Sequence, residues 1–401
     1  MYEFFPYFTN DGSVGLYSPN DDDIYHSTYG ALTEAYEKFI LPANFSEYFK
    51  CKKQIKILDI CYGIGYNSKS FLNYFFQNFE KEIQEKNINI CAIDTDNKLN
   101  KIFIKAIDMD KNLFLLSPFI ETNKKIFFNN KIDFEHEKIS RLLNSKTKTK
   151  FKYDKFVNFI ILKKILKICP DIFENDEVNN LLSNKKYLKY FDKATVNLYK
   201  FYKKQGYQTN LLCKISTFLH NIYYRYISKR YKTALKHLKL NDFIFEAEFD
   251  DARSVIKADQ NIYDFIFLDA FTPAKCPCLW TIEFFKLLYS HISDDGIILT
   301  YSNSASVRNA FIQAGFWVGK IYNKDSDKFI GTIATKKLDL IKYGLSEYDL
   351  GLINTKAGIP YRDKDLTLNN EAILLAHAQE VATSGLQSSS KFIKTFRGAN
   401  V

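Results

Sequence analysis

Apolar residues follow two rhythms along this chain. Short continuous runs bounded by acids or glycine predict buried strands, and apolar residues spaced three and four apart predict helices. The runs are Ile55 to Ile60, Ile88 to Ile93, Phe243 to Phe249, Tyr263 to Leu268 and Ile297 to Tyr301; a last pair, Phe316 to Tyr322 and Phe329 to Thr335, reads as an antiparallel hairpin. Helical spacing fills Ala31 to Ile40, Ser70 to Phe76, Leu211 to Ile227, Ile282 to Ile292, Ser304 to Ala314 and Asn370 to Thr383. Gly315 stands where helices end, and Asp294-Asp295-Gly296 reads as a turn. Strands alternating with helices predict an α/β fold, a doubly wound, Rossmann-like sheet with a terminal antiparallel hairpin. Residues 1 to 50 begin irregularly, and Asp21-Asp22-Asp23 fits either a solvated turn or an arm beside a ligand crevice. No internal repeat is apparent.

Between residues 101 and 240 the α/β rhythm stops. Leu211, Leu212, Ile215, Phe218, Leu219, Ile222, Tyr223, Tyr226 and Ile227 trace one face of an amphipathic helix, with Lys214, Arg225, Lys229, Arg230 and Lys232 on its other side and end. Lysines alternate with aromatic residues through Lys185 to Phe191 and Tyr199 to Lys204. The expected organisation is an N-terminal arm (1–50), an α/β domain (51–100 and 241–336), a mainly helical lysine-rich insertion (101–240) and a C-terminal extension (337–401).

Charge sharpens that division. The net charge of +10 is uneven: residues 101–240 carry an excess of roughly 18 positive charges, leaving roughly −8 for the rest. A solvated lysine-rich surface would look the same, but phosphate backbones attract an excess this one-sided, so a polyanionic partner is expected. With 401 residues, 46% of them hydrophobic, the chain can bury a large core of more than one structural unit. It has no apolar run long enough to span a membrane and no secretory leader, so a soluble, cytoplasmic protein is expected. Its seven cysteines lack paired C-x-x-C spacing, and Cys276-Pro277-Cys278 alone cannot supply a four-ligand zinc site, so reduced thiols and no metal are expected.

Candidate chemistry gathers where strands end. The run Phe265 to Leu268 leads into Asp269, and a carboxylate at the carboxyl end of such a strand points to the crevice where open α/β sheets bind ligands. Pro273 and Pro277 forbid regular structure until Ile282, so the turn is long and stiffened. Phe271 and Pro273 could wall a base, Lys275 could meet a phosphate, and Trp280 suits the core; Phe271 could equally be a packing residue. After the strand Ile55 to Ile60, Cys61-Tyr62-Gly63-Ile64-Gly65-Tyr66-Asn67 opens a helix, the first half of a nucleotide-binding unit whose glycines admit a ligand close to the backbone. Asp94, after Ile88 to Ile93, suits a ribose diol.

Asp59, the glycine turn, Asp94 and Asp251-Ala252 together resemble the S-adenosylmethionine-dependent class I methyltransferases. That resemblance implies that Gly63 to Gly65 and Asn67 hold the methionine end, Asp94 the ribose and Asp251 the adenine amino group. More narrowly, Leu268 to Thr281, LDAFTPAKCPCLWT, is similar to the pattern LDGFAPAKNPxMWT of the MnmC-type methyltransferases of tRNA wobble-uridine modification. The likeness continues through Phe284-Phe285, Gly296, Tyr301-Ser302, Val307-Arg308 and Gln313 to Phe316. Tyr25-His26-Ser27, Gly30-Ala31-Leu32, Glu34-Ala35 and the tail Gly358 to Asp363 of stand-alone members also fit.

The family resemblance implies N-methylation of 5-aminomethyl-2-thiouridine in tRNA, with Asp269 as the catalytic residue and separate enzymes supplying the aminomethyl precursor. Cys61 stands in place of the first turn glycine, and Cys276 and Cys278 replace an Asn and an acid. No second glycine fingerprint follows a strand, so a flavin oxidase half is not expected. Two other readings stay open. An aminopropyltransferase of the spermidine-synthase type shares the strand end but needs a second acid where Phe271 stands. A catalytically silent tRNA-binding protein would keep the basic insertion alone.

Overall fold

The computed structural model describes residues 5–8, 14–18, 23–27, 29–68, 70–71, 74–75, 101–109 and 242–399. The chain divides into two units, one of residues 1–36, 63–100 and 110–244 and one of residues 37–62, 101–109 and 245–401. Among the described residues no helix is long and apolar enough to cross a membrane.

In the first unit the arm is more regular than its composition suggests. Strands β1 (Phe5–Phe8), β2 (Val14–Ser18) and β3 (Asp23–Ile24) pair antiparallel in that order. Asp21 and Asp22 lie outside the described residues, and Asp23 opens β3. The helix expected over Ala31 to Ile40 starts as α1 (Ala31–Ala35) and continues as one π turn, Tyr36–Ile40. Ser27 Oγ donates to Glu34 (2.8 Å), tying the segment before α1 to that helix, and His26 meets the Tyr66 ring edge-on at 5.0 Å.

The second unit is built on a seven-stranded sheet of order β6-β5-β4-β7-β8-β10-β9. Its strands are β4 (Gln54–Ile60), β5 (Lys101–Ile107), β6 (Asp242–Glu248), β7 (Tyr263–Leu268), β8 (Ile292–Thr300), β9 (Trp317–Asn323) and β10 (Lys328–Thr335). β4 runs parallel to β5 and β7, and β7 parallel to β8; β10 enters between β8 and β9, antiparallel to both. Every residue of β7 is buried, as the apolar run Phe265 to Leu268 requires of a strand covered on both faces, and the one charged residue, Asp264, is paired with Lys52. Helix α2 (Phe45–Cys51) lies over it: the Phe45 and Tyr48 rings sit 4.4 and 4.6 Å from Phe265, and Phe39 sits 5.7 Å from Phe267. A further aromatic layer runs from Trp280 through Phe285 to Phe311, whose rings stack at 3.7 Å, and on to Phe316.

One strand departs from expectation. The neighbour of β4 on the side away from β7 is Lys101–Ile107, in register from Gln54↔Lys101 to Ile60↔Ile107, in the place expected for Ile88 to Ile93. The chain spells nearly the same phrase twice: Ile88-Asn-Ile-Cys-Ala-Ile-Asp94 and Ile102-Phe-Ile-Lys-Ala-Ile-Asp108. A strand pattern alone cannot choose between them, and the second copy is the one in the sheet. Asp94 and the first copy lie outside the described residues. The boundary expected at residue 101 moves accordingly, because 101–107 is a sheet strand; residues 110–241, with the helix at 211 to 227 and the lysine-aromatic runs, are outside the described set.

Two smaller differences concern the distal half. Asp294-Asp295-Gly296 is carried within β8 as an irregularity, opposite the step from Tyr263 to Phe265, rather than as a free turn. Lys52 explains this: its ammonium bonds Asp295 at 2.9 Å and also Asp264 of β7, holding the bulged backbone against the sheet. The C-terminal residues, expected as an extension, belong to the same unit as the sheet. Tyr361 bridges Thr281 in parallel, and the Tyr361 carbonyl accepts from the Ile282 N–H at 3.2 Å. Helices α6 (Glu347–Ile353), α7 (Asn370–Thr383) and α8 (Ser389–Ala399) complete it, following α3 (Ala252–Ala258), α4 (Ile282–His291) and α5 (Ala305–Gln313).

Candidate active site

Backbone hydrogen bonds lace the carboxyl ends of the central strands. The Tyr62 N–H donates to Ile107 (3.1 Å), the Asp108 N–H to Glu248 (3.1 Å), and the Asp269 N–H to Ile60 (3.2 Å). These bonds extend the ladder one step past each strand and bring Asp108 and Asp269 to either side of the end of β4. Asp59, one residue inside that end, is fully buried, whereas Asp108 and Asp269 are half-buried and Asp251 keeps 29% of its side chain exposed. The Cys61 thiol lies among them: burial, then the charges of Asp108 and Asp269, push it well above the usual thiol range, so Cys61 stays protonated.

Cys61 also has φ 61°, a left-handed conformation that favours glycine. Cys61 thus occupies a backbone conformation that a glycine would adopt without strain. In the first unit, Gly63 (φ 56°) and Gly65 (φ 83°) adopt the same region, and the chain is helical at 66–68, with Asn67 in that first turn. Two glycines at positive φ open backbone that a side chain would otherwise shield, as a bound carboxylate or phosphate needs.

The turn after β7 is fixed from three directions. The Trp280 indole, buried as expected, donates to the Phe271 carbonyl at 2.8 Å, and the Tyr301 hydroxyl donates to the Ala270 carbonyl at 2.8 Å. Asn370, in the first turn of α7, accepts from the Cys278 N–H and donates to the Lys275 carbonyl, each at 3.3 Å. Phe271 and Pro273 are half-buried and Lys275 is exposed, so one face of this stiff turn is open to a ligand. Cys276 and Cys278 place their sulfurs 3.7 Å apart; the Cys276 thiol and then the Arg253 charge hold Cys278 below the usual thiol range.

Asp251 and Ala252 begin α3, with Asp251 as its N-cap, accepting from the Arg253 N–H at 2.9 Å, and Ala252 buried. The Arg253 guanidinium grips the same carboxylate through Nη2 at 2.6 Å and Nε at 3.1 Å. Sequence reasoning gave Arg253 no part, and it missed Asp108 because Asp94 ends an equivalent run. Among the described residues no cluster of three or more His, Cys, Asp or Glu side chains could hold a metal ion. Within the second unit, the acceptor carboxylates at the strand ends and at the start of α3 suit the ribose hydroxyls and adenine amino group of S-adenosyl-L-methionine.

Comparison with known proteins agrees. Residues 214–328 match the model of a family described as S-adenosyl-L-methionine-dependent methyltransferase. An uncharacterised protein of Methanocaldococcus jannaschii is 22% identical over 369 residues, covering 91% of this chain and 69% of that protein. The tRNA 5-methylaminomethyl-2-thiouridine biosynthesis bifunctional protein MnmC of Burkholderia vietnamiensis is 36% identical over 66 residues, 16% of this chain and 10% of that protein, so the shared stretch is a small part of the bifunctional protein. The crystal structure of MnmC2 from Aquifex aeolicus shares the fold, with a TM-score of 0.53 at 20% identity over 95% of this chain and 86% of that one. The sheet order and the match over residues 214–328 support the α/β fold of S-adenosyl-L-methionine-dependent methyltransferases, and the chain is similar to MnmC proteins in one stretch and to MnmC2 in fold.

Proposed function

We propose that this enzyme methylates the primary amine of 5-aminomethyluridine, with or without the 2-thio group, at the wobble position of tRNA, giving the 5-methylaminomethyl form. The observation that carries the proposal is Asp269, set by its own N–H bond to Ile60 at the end of the central strands and followed by a turn that Trp280, Tyr301 and Asn370 hold rigid. In this reading, within the second unit, Asp108 takes the ribose place expected of Asp94, and Asp251 with Ala252 holds the adenine. Asp59 supports the strand end from within.

When bound, S-adenosyl-L-methionine would supply a methyl group activated on a sulfonium sulfur, with a thioether as the by-product of its transfer to an amine nitrogen. The protein's part is to present that nitrogen with its lone pair free. A primary alkylammonium has a pKa near about 10, so it must lose a proton first, and partial desolvation and nearby positive charge both help. Asp269 accepts a hydrogen bond from the amine, aims it, and takes its proton or hands it to water. Phe271 and Pro273 wall the base, and Lys275 meets a phosphate. A wobble base must leave the anticodon stack to reach this position, which suits a turn carrying a half-buried Phe271 and an exposed Lys275. Phe271, two residues beyond Asp269, argues against an aminopropyltransferase, which needs an acid there.

The experiment is transfer of a labelled methyl group from S-adenosyl-L-methionine to tRNA lacking the final modification. Incorporation that disappears in Asp269→Ala supports the proposal. Tight tRNA binding with no incorporation at any pH would instead leave a silent binding protein.

A further inference from the structure

The Asp251 carboxylate is held by a device that reaches across the second unit. Three donors of Arg253 converge on it: the backbone N–H, Nε and Nη2. The other terminal nitrogen, Nη1, points away and donates to Asp363 at 2.7 Å and to the Leu368 carbonyl at 2.8 Å. Asp363 is completely buried, and its second oxygen accepts from the Thr367 and Leu368 backbone N–H groups at 3.1 and 3.2 Å. Its own N–H donates to Glu283 at 2.9 Å, and Glu283 pairs with Arg362 at 2.7 Å. Asp251 is thus connected, through one guanidinium, to a loop whose Asp363 lies 110 residues beyond Arg253.

We propose that Arg253 and Asp363 are positioning residues for recognition of the cofactor's adenine, fixing Asp251 as an ionised, outward-facing acceptor for the 6-amino group. The inference rests on the reading that Asp251 meets the adenine. A guanidinium that forks onto a carboxylate fixes its plane as well as its charge. A carboxylate offers about four acceptor positions and, while ionised, cannot donate; Arg253 reaches them with three donors, Nε being shared between both oxygens at 3.1 Å, and the exposed portion of Asp251 is where a further donor can approach. Burial opposes ionisation of Asp251, but hydrogen bonds from Arg253 hold it below the usual carboxylate range. Asp363 in turn fixes the guanidinium, since without it Nη1 would keep only the Leu368 carbonyl. The loop at 359–368 then serves the cofactor site rather than merely trailing the domain.

Binding of S-adenosylhomocysteine and of its analogue lacking the 6-amino group, measured by titration calorimetry on the full chain, tests this without any tRNA. Asp363→Asn keeps shape and presents an N–H₂ group to Nη1, setting donor against donor; Arg253→Lys keeps the charge and loses the fork. Wild-type protein should prefer the amino compound by about tenfold or more, as a hydrogen bond to a charged group implies. Asp251→Asn, Arg253→Lys and Asp363→Asn should each shrink that ratio toward one while changing affinity for the deamino analogue little. General loosening of the fold would weaken both ligands equally. Preserved discrimination in folded Arg253→Lys, with its loss in Asp251→Asn, overturns the positioning role and leaves the adenine assignment standing. Preserved discrimination in Asp251→Asn overturns both.

Discussion

Asp59, Asp108 and Asp269 stand on three adjacent strand ends, yet their surroundings differ. Asp59 is sealed in the sheet, while Asp108 and Asp269 flank the end of β4 with part of each side chain open. Replacing Asp108 with Ala should weaken S-adenosylhomocysteine binding by about ten- to a hundredfold, the range for a lost hydrogen bond to a charged group, whereas Asp94→Ala should leave it unchanged; calorimetry on the two variants decides between the twin acid-ended runs. Asp269→Asn should leave cofactor affinity within about twofold and lower turnover by about a hundredfold or more, the scale of a lost positioning and proton-accepting group. Asp269 was legible from sequence because a buried strand, an acid and two prolines follow one another within a few residues. Asp108 was not, because hydrophobic pattern scores Ile88 to Asp94 and Ile102 to Asp108 alike and only pairing with β4 separates them. Arg253 was invisible for a different reason: its partner Asp363 is remote in sequence, and no local pattern records such a bond.

At the scale of elements, strands buried on both faces announce themselves, so β4, β7 and the hairpin β9–β10 emerge from sequence within a residue or two. The Asp294 to Gly296 stretch misleads because its acids look like a turn until Lys52 is placed beside them. The turn after β7 depends on contacts made by other elements. Trp280→Phe keeps most of the packed ring but removes the bond to the Phe271 carbonyl; stability should fall by about 1 to 2 kcal/mol in urea unfolding, with turnover falling more than cofactor affinity. Helix α6 shows the corresponding electrostatics. Asp349 accepts from Lys320 at 2.7 Å and from Arg308 at 2.9 Å and completes a capping box with Ser346. Against the opposing effect of burial, these partners hold its carboxyl down at about 2. A depressed carboxylate stabilises the fold above its ordinary titration range, and that contribution disappears as pH falls from about 4 toward 2. Asp349→Asn should therefore lower stability at neutral pH and flatten the loss between pH 4 and 2, which thermal melts across that range would record.

For the whole molecule, the described residues bear on the organisation read from composition at two of its seams. The sheet resumes after a long interruption, but the interruption begins after residue 109, and residues 337–399 are bound to the sheet unit through Tyr361, Glu283 and Asp363. Ending the chain after Lys336 should leave Arg253 beside an unmatched cavity and give protein that fails to fold cooperatively, as near-ultraviolet circular dichroism would report. The basic character of residues 101–240 belongs to substrate affinity in this reading: Lys203→Glu with Lys204→Glu should weaken tRNA binding severalfold and reduce its salt dependence while leaving S-adenosylhomocysteine binding unchanged.

The most direct measurement is nucleoside mass analysis of tRNA bearing 5-aminomethyl-2-thiouridine after incubation with enzyme and S-adenosyl-L-methionine. Conversion of that nucleoside to 5-methylaminomethyl-2-thiouridine, absent with Asp269→Asn, is the predicted result. A methyl group found on any other nucleoside, or equal conversion by Asp269→Asn, would contradict the proposed chemistry of this site.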